Sequence, residues 1–170
     1  MVFVGDGGAT EASRPSRRVG IEWANHYRPR PWLALDLDAA VTGARFTDDD
    51  PAGDEIPGAL EHVVSAGVSV EGRGPWSGGL RLRWLSGYPL IENDSVRASS
   101  TALLNGRVAW RATDRLTLAL EGFNLLDRDD SDIEYFYASR LPGEPAEGIE
   151  DVHLHPVEKP SVRLSASWRF

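Results

Sequence analysis

Apolar and polar residues alternate along several segments of the chain. In the last segment, Val162, Leu164, Ala166, Trp168 and Phe170 share one parity, and serine or arginine residues fill the other. A period of two places successive side chains on opposite faces of an extended strand. The pattern therefore predicts a β-strand with one apolar face and one polar face.

The same alternation recurs along the chain and predicts seven strands, with Val2–Val4 interpreted as the end of an eighth. The apolar parities of the other six strands run over 19–23, 33–41, 64–70, 80–84, 104–110 and 116–120. The predicted fold class is all-β, with antiparallel strands. Alternation is equally typical of a soluble β-sandwich and of a transmembrane β-barrel, so it does not separate the two.

The connections between the predicted strands alternate between short and long. Short turns are expected at Arg28–Arg30, Arg73–Pro75 and Ala112–Asp114, and long loops at Thr47–Ala59, Pro89–Ala98 and Asp127–Lys159. Outer-membrane barrels have short turns on one side and long loops on the other. Several predicted strands also reach the roughly ten residues that a tilted membrane strand needs. Both features favour an up-and-down transmembrane barrel.

Aromatic residues cluster at the strand ends next to the short turns and at the C-terminus. This set is Tyr27, Trp32, Trp76, Trp110, Trp168 and Phe170, whereas Phe46, Tyr88 and Tyr135–Tyr137 are expected at the opposite side. Tryptophan and tyrosine concentrate at membrane interfaces because their rings are apolar and their N–H or O–H groups stay hydrated. The distribution predicts an aromatic belt at one membrane surface.

If the apolar parity faces lipid, the charged residues of the strands point inward. They are Asp36, Asp38, Glu71, Arg81, Arg83, Arg107, Arg111, Glu121, Arg163 and Arg169. A lipid-facing arginine or lysine costs about 2–4 kcal/mol at the bilayer midplane, whereas a polar interior accommodates it. Charges of both signs on one face indicate ion pairs, or contact with a domain inside the barrel.

Composition excludes several classes of function. The 170 residues, 41% of them hydrophobic, are enough for one domain. The 26 acidic and 18 basic residues give a net charge of −8, which disfavours nucleic-acid binding. There is no cysteine. No apolar run approaches the roughly 18 residues of a membrane helix, and the N-terminus does not resemble a secretory signal.

Two groups of residues could in principle bind metal. His153 and His155 form an H-x-H pair, which on a strand would place both imidazoles on one face, although an ordered loop is the more economical interpretation. The acidic residues between Asp127 and Glu134 are reminiscent of a calcium loop, but the glycine at its sixth position is missing. We expect no resident cofactor.

Catalytic motifs are not found in the sequence. The nucleophile elbow G-x-S-x-G, the phosphate-binding loop G-x-x-x-x-G-K-[ST] and the G-x-G-x-x-G fingerprint do not occur. Asp36 and Asp38 form a carboxylate pair of the kind that glycoside hydrolysis uses, but the same spacing is expected of a polar barrel wall. The chain is therefore predicted not to be an enzyme.

Four sequence blocks resemble one family. They are GFNLLD at 122–127, IEYFYASRLPGEP at 133–145, HLHPVE at 153–158 and RLSASWRF at 163–170. Together they are similar to the C-terminal end of TonB-dependent outer-membrane receptors, and the resemblance extends over residues 1–170. Leu126 and Lys159 depart conservatively from the family's commoner phenylalanine and arginine.

The resemblance implies a barrel of about 22 strands closed by an N-terminal plug. This chain would supply 7–8 of those strands, so the plug, the TonB-contacting segment and about fourteen strands are expected outside it. An open or curved sheet is expected for the isolated chain.

The resemblance also implies a role in the outer membrane of a Gram-negative bacterium. The parent protein would import a large, scarce ligand such as a ferric siderophore with energy coupled through TonB, and the fragment alone would not. Expected partners are membrane lipid and the barrel-assembly machinery, which would read Val162, Leu164, Trp168 and Phe170. The three long loops would help to capture the ligand, whose binding residues are not assigned.

Two other interpretations stay open from the sequence. The chain could be a small eight-stranded barrel that acts as a binding module, or an inert product of a truncated reading frame. Recovery as a detergent-free soluble monomer would favour the binding module.

Overall fold

The computed structural model describes residues 2–4, 9–11 and 14–170, with only the backbone of 2–4 and 9–11. These residues form eleven β-strands: β1 Val2–Val4, β2 Ala9–Glu11, β3 Ser16–Arg30, β4 Leu33–Phe46, β5 His62–Arg73, β6 Trp76–Leu85, β7 Thr101–Arg111, β8 Leu116–Phe123, β9 Ser131–Ser139, β10 Ile149–Pro156 and β11 Ser161–Trp168. No helix among the described residues has the length and apolar character needed to cross a membrane.

Seven strands form one antiparallel sheet in the order β11-β8-β7-β6-β5-β4-β3. Strands adjacent in sequence are adjacent in space, except where β9 and β10 are inserted between β8 and β11. The seven strands predicted from alternation are confirmed, and so is the all-β, open-sheet architecture. The N-terminal segment differs from the prediction, because Val2–Val4 pairs with Ala9–Glu11 in a separate two-stranded sheet.

The first short turn is formed by residues 31–32 and so follows the predicted turn Arg28–Arg30. Strand β3 continues to Arg30, and its pairing with β4 shifts register between Tyr27 and Arg30. Pro29 lies at this shift, so its missing N–H group does not remove a hydrogen bond between the paired strands. Strand β3 is also an edge strand of the sheet, where proline is tolerated. The turn between β5 and β6 contains Gly74 at φ 73°, a conformation that glycine adopts without steric cost.

The sheet is a single layer, and its buried apolar cluster lies at the end that carries the long loops. Ala44, Phe46, Ile56 and Ala59 form this cluster between β4 and the first long loop. A β-sandwich would instead bury the apolar strand faces against a second sheet. Those faces are exposed here, with Ile21 77% and Leu164 76% accessible. The packing of the described residues therefore contradicts the sandwich alternative.

Part of the third long loop is itself a hairpin, which the sequence analysis missed. Strands β9 and β10 pair antiparallel from Ser139 opposite Ile149 to Ser131 opposite Pro156. Tyr135, Phe136 and Tyr137 with Ile133 are the aromatic and β-branched types that favour strands, so a signal was present. Pro142 and Gly143, typical turn residues, lie between the two strands.

Candidate functional site: two faces of one sheet and the outer loops

One face of the seven-stranded sheet, here called the apolar face, carries exposed large hydrophobic side chains from six of its strands, all except β5. They include Val19, Ile21, Trp23, Leu35, Leu37, Val41, Trp76, Leu80, Val108, Trp110, Leu120, Val162, Leu164 and Trp168. Monomeric soluble proteins rarely expose a contiguous apolar surface that spans a whole sheet. The alternation seen in the sequence is therefore expressed as a surface that suits a hydrocarbon environment.

The predicted aromatic belt lies at the end of the sheet with the short turns. Trp76 pairs with Trp110 across β6 and β7, and their rings stack with centroids 5.9 Å apart. Trp168 pairs with Leu116 at the same end of β8. Trp32 lies in the turn between β3 and β4, where the Arg73 guanidinium sits 4.6 Å from its ring centroid. The short-turn end thus combines exposed indole rings with arginines.

The opposite face, here called the charged face, carries the predicted inward charges. Arg107, Glu121 and Arg163 lie in one cross-strand row, and Glu121 forms ion pairs with Arg107 at 3.7 Å and with Arg163 at 3.9 Å. His26 Nδ1 lies 2.5 Å from Asp36 Oδ1. The ion pairs of Glu121 partly neutralise the charged face within the sheet itself.

A polar depression of about 530 Å³ lies on the charged face between β4 and β8. Its lining includes Asp36, Arg81, Asn105 and Glu121 around Gly67. A Cβ atom added to Gly67 would lie 3.6 Å from Asp36 Oδ2 and 3.7 Å from Arg81 Nη2, so both charged groups converge over this glycine. The paired aspartates Asp36 and Asp38 thus belong to a polar wall, and Asp36 contacts an imidazole rather than a second carboxylate.

The first two long loops pack against each other at the far end of the sheet. The Glu55 amide donates to the Glu92 carbonyl at 3.0 Å, and the Gly58 amide donates to the Pro89 carbonyl at 2.9 Å. Pro89 is fully buried between them. These contacts make the two loops one structural unit.

Arg14 ties the start of β3 to the first long loop. Its guanidinium donates to both Asp48 carboxylate oxygens, with Nη2 2.6 Å from Oδ1, and lies 4.3 Å from the Phe46 ring centroid. Hydrogen bonding to Arg14 lowers the pKa of the Asp48 carboxyl below its ordinary value. The same bond raises the pKa of Arg14, so the pair is fully ionised at neutral pH.

The β9–β10 hairpin is anchored on the second loop and on β7. The Tyr88 hydroxyl accepts the Glu134 amide at 3.0 Å and donates to the Glu134 carbonyl at 3.4 Å. The Thr101 hydroxyl donates to the Ser131 carbonyl at 2.8 Å, and the Ala102 amide donates to Asp130 Oδ2 at 2.7 Å. Burial raises the pKa of Tyr88, so its hydroxyl keeps its proton for the Glu134 carbonyl.

Asn124 holds the two ends of the third loop together, a role that the sequence analysis did not assign. Its Nδ2 donates to the carbonyls of Arg128 at 2.9 Å and Glu158 at 3.1 Å, and its Oδ1 accepts the Arg128 amide at 3.0 Å. The residue is 4% exposed and adopts a φ of 48°. Asparagine tolerates this left-handed conformation better than most residues. The signal in the sequence was Asn124 itself, inside the block GFNLLD.

The acidic run after Asn124 is engaged with cations of the chain. Arg128 pairs with Asp130 at 3.1 Å, and Lys159 pairs with Asp129. Asp132 lies 3.8 Å from Arg83 of the charged face. The run therefore stabilises the base of the hairpin through its own ion pairs.

One face of the hairpin is rich in aromatic and imidazole rings. Tyr137 and His153 stack with centroids 3.9 Å apart and planes inclined by 17°. Tyr135 lies directly opposite His153 in the ladder, and His155 follows on the same face. Residues 14–170 contain no group of three or more histidine, cysteine, aspartate or glutamate side chains that could hold a metal ion. His153 and His155 thus share a face as predicted, but a third ligand does not accompany them.

The four residues predicted as an assembly signal lie on the last strand. Val162, Leu164 and Trp168 are 71%, 76% and 55% exposed, and Phe170 follows the end of β11. Among the described strands, β11 pairs only with β8, so its other edge carries no strand. All four side chains are accessible at one margin of the sheet.

Comparisons with known proteins agree with this architecture. The sequence profile described as "TonB dependent receptor-like, beta-barrel" matches residues 5–125. None of the proteins with curated descriptions matches the sequence.

Several solved structures share the fold at low sequence identity. The ferric yersiniabactin uptake receptor FyuA from Yersinia pestis superposes with a TM-score of 0.74 and 19% identity, over 91% of this chain and 24% of that protein. The ferric-catecholate import receptor Fiu from K12 E. coli, in its closed form, gives 0.72 and 17%, over 98% and 23%. The ferric citrate transporter FecA gives 0.67 and 19%, over 91% and 24%. This chain spans about a quarter of the length of these proteins.

Proposed function

Because the chain belongs to the family of TonB-dependent receptor-like β-barrels, we propose that it is part of an outer-membrane receptor for a large, scarce ligand such as a ferric siderophore. In this proposal, energy coupled through TonB drives uptake. Further strands complete the barrel, and a plug domain fills its interior. These strands and the plug lie outside the 170 residues of this chain. The family consists of transport receptors, and the chain has no role as an enzyme.

The observation that carries the proposal is the separation of the two faces of the sheet. Exposed Leu, Val, Ile and Trp side chains cover the apolar face, whereas ion pairs such as Arg107–Glu121 lie on the charged face. Lipid accepts the first surface and a polar interior accepts the second. In the receptor, the apolar face contacts the outer-membrane lipid and the charged face contacts the plug.

The outer loops supply the surface for ligand capture. The interlocked first and second loops support the hairpin through Tyr88, so the aromatic face with Tyr135, Tyr137 and His153 is held in place. Exposed aromatic rings bind planar organic ligands through stacking and apolar contact. FyuA is a ferric yersiniabactin uptake receptor, Fiu a ferric-catecholate import receptor and FecA a ferric citrate transporter, and we propose that the ligand of this chain is likewise a ferric complex.

The last strand supplies the assembly signal. Phe170, Trp168, Leu164 and Val162 lie along the margin formed by β11, whose outer edge has unpaired backbone groups among the described strands. An exposed edge pairs readily with a strand of another sheet. We propose that the barrel-assembly machinery recognises this edge.

The binding-module alternative has less support. Strands β3 and β11 lie at opposite margins of the seven-stranded sheet and do not pair. An open sheet leaves backbone groups that lipid cannot satisfy, so further strands must complete it in a membrane. A receptor barrel supplies such strands, whereas a small closed barrel would require β3 to meet β11.

Iron-limited growth tests the proposal. The full-length protein is expressed in a bacterium that lacks its own ferric-siderophore receptors, and growth is measured with a panel of ferric siderophores. We expect growth with at least one ligand, and we expect deletion of TonB to abolish it. Growth that is independent of TonB, or recovery of the protein as a detergent-free soluble monomer, would contradict the proposal.

The loop residues are tested in the same strain. Tyr137→Ala is expected to raise the ligand concentration needed for half-maximal growth, because it removes the ring that stacks on His153. Asn93→Ala is the control, since Asn93 is an exposed residue of the second long loop whose side chain accepts a hydrogen bond from the Ser95 amide and has no ring that could stack on a ligand. Equal effects of both variants would argue against capture by the hairpin.

A further inference from the structure

The apolar face contains a groove across β6, β7 and β8, with a volume of about 630 Å³. Gly78, Gly106 and Gly122 form its floor, and its walls include Val70, Val108 and Leu120. The three glycines carry no side chain in a face otherwise covered by large residues, and the Leu80 side chain lies over Gly106, 2.8 Å from the position of an added Cβ. At the long-loop end, Leu125 folds over Gly122, where an added Cβ would lie 2.6 Å from Leu125 Cδ2.

Arg73 lies at the other end of the groove, beside the short turns. It pairs in register with Trp76, so its side chain is on the apolar face, where it is exposed and lies over the Trp32 ring. Among residues 14–170, no carboxylate lies within ion-pair distance of Arg73. Arg30 shares this face through its pairing with Leu33, which in turn pairs with Val70. An unpaired cation thus adjoins an apolar groove within the aromatic belt.

The position of the groove on the sheet indicates what kind of molecule binds in it. If the apolar face lies in a membrane, a groove open to that face meets acyl chains, and the aromatic belt places Arg73 at headgroup depth. Arginine forms charge-assisted hydrogen bonds with phosphate, and a basic residue near an anionic membrane surface contributes about 1 kcal/mol. The cations Arg73 and Arg30 complement a negatively charged headgroup, and no carboxylate of the described residues neutralises them.

We propose that the groove and Arg73 form a binding site for one anionic phospholipid from the leaflet at the short-turn side. Its phosphate binds Arg73, and one acyl chain lies over Gly78 between Val70, Val108 and Leu120. This inference rests on the proposed function only in requiring that the apolar face be in a bilayer. It adds a specific lipid site that is independent of the transported ligand.

The test compares two headgroups on one acyl chain type. The full-length protein in detergent is incubated with equal amounts of phosphatidylglycerol and phosphatidylcholine, and the bound lipids are counted by native mass spectrometry. We expect Arg73→Gln to reduce the preference for phosphatidylglycerol roughly fivefold, the factor that corresponds to about 1 kcal/mol. Arg73→Lys is expected to keep most of the preference, and Val108→Trp to reduce binding of both lipids by filling the groove.

Arg111→Gln is the matched control, since Arg111 ends β7 at the same side of the sheet but pairs with Thr117 on the charged face. It is expected to leave the preference unchanged. A preference that survives Arg73→Gln, or that falls equally in Arg111→Gln, would overturn the lipid site.

A second measurement separates this inference from the proposed function. Phospholipids brominated on the acyl chain quench tryptophans that touch hydrocarbon, whichever headgroup they carry. Quenching together with loss of preference in Arg73→Gln supports both proposals. Quenching without headgroup preference overturns the lipid site and leaves membrane insertion supported, whereas absence of quenching contradicts the membrane placement itself.

Discussion

Replacing Asn124 with alanine is expected to loosen the whole third loop. The substitution removes three side-chain hydrogen bonds, two to carbonyls and one from an amide. Each is worth about 1 kcal/mol net, so their loss costs about 3 kcal/mol. The φ of 48° adds about 1–2 kcal/mol for alanine, which lacks asparagine's tolerance of this conformation. The expected loss of unfolding free energy is therefore about 4–5 kcal/mol.

Two further variants separate these contributions. Asn124→Gly loses the same hydrogen bonds but accepts the positive φ, so it is expected to be about 1 kcal/mol less destabilising than alanine. Asn93→Ala is the control, because Asn93 is exposed and its side chain accepts one hydrogen bond, from the Ser95 amide. Loss of this hydrogen bond is expected to lower the free energy of unfolding by about 1 kcal/mol or less.

Urea unfolding of the full-length protein in micelles, followed by tryptophan fluorescence, gives the free energies. Hydrogen exchange adds a local readout, because the Arg128 amide loses its acceptor in both Asn124 variants and should exchange faster. If Asn124→Ala costs no more than Asn93→Ala, or if the Arg128 amide keeps its protection, the role assigned to Asn124 is wrong.

Three other expectations follow from the same structure. Tyr88→Phe should lower the free energy of unfolding by about 1 kcal/mol and speed amide hydrogen exchange in β9, because the hydroxyl forms hydrogen bonds with that strand. Unchanged hydrogen exchange in β9 would contradict this role. Because Arg14 depresses the pKa of Asp48, this pair stabilises the first loop above the ordinary carboxyl pKa, and the contribution should be lost as the pH falls through the lower folded value. In Asp48→Asn, hydrogen exchange in the first loop should no longer change with pH in the acid range. If the change persists, a group other than Asp48 causes it. Ile21→Arg should lower stability in a bilayer by about 2–4 kcal/mol, whereas Glu22→Arg on the other face should change it little, and equal effects would argue against lipid contact.

The long loop from Asp127 to Lys159 contains structure that was not predicted from the sequence. Its aromatic segment favours a strand, but strand pairing requires a partner, and Ile149–Pro156 alternates too weakly to identify itself as that partner. Asn124 stands in the block GFNLLD, but its role could not be assigned from the sequence, because its side chain contacts Glu158, which lies 34 residues further along the chain. Both of these features depend on contacts between segments that are separated in sequence.

Alternation along the chain, together with the positions of the aromatic residues, was enough to predict the seven strands of the sheet, their apolar and charged faces, and the end at which the aromatic belt lies. Strand alternation is a local property, because adjacent residues point to opposite faces whatever the rest of the chain does. Three features became apparent only in the folded chain: β1 pairs outside the seven-stranded sheet, β9 and β10 form a hairpin, and three glycines on different strands align into one groove. Those features depend on register and on packing across strands, which no single segment of the chain encodes.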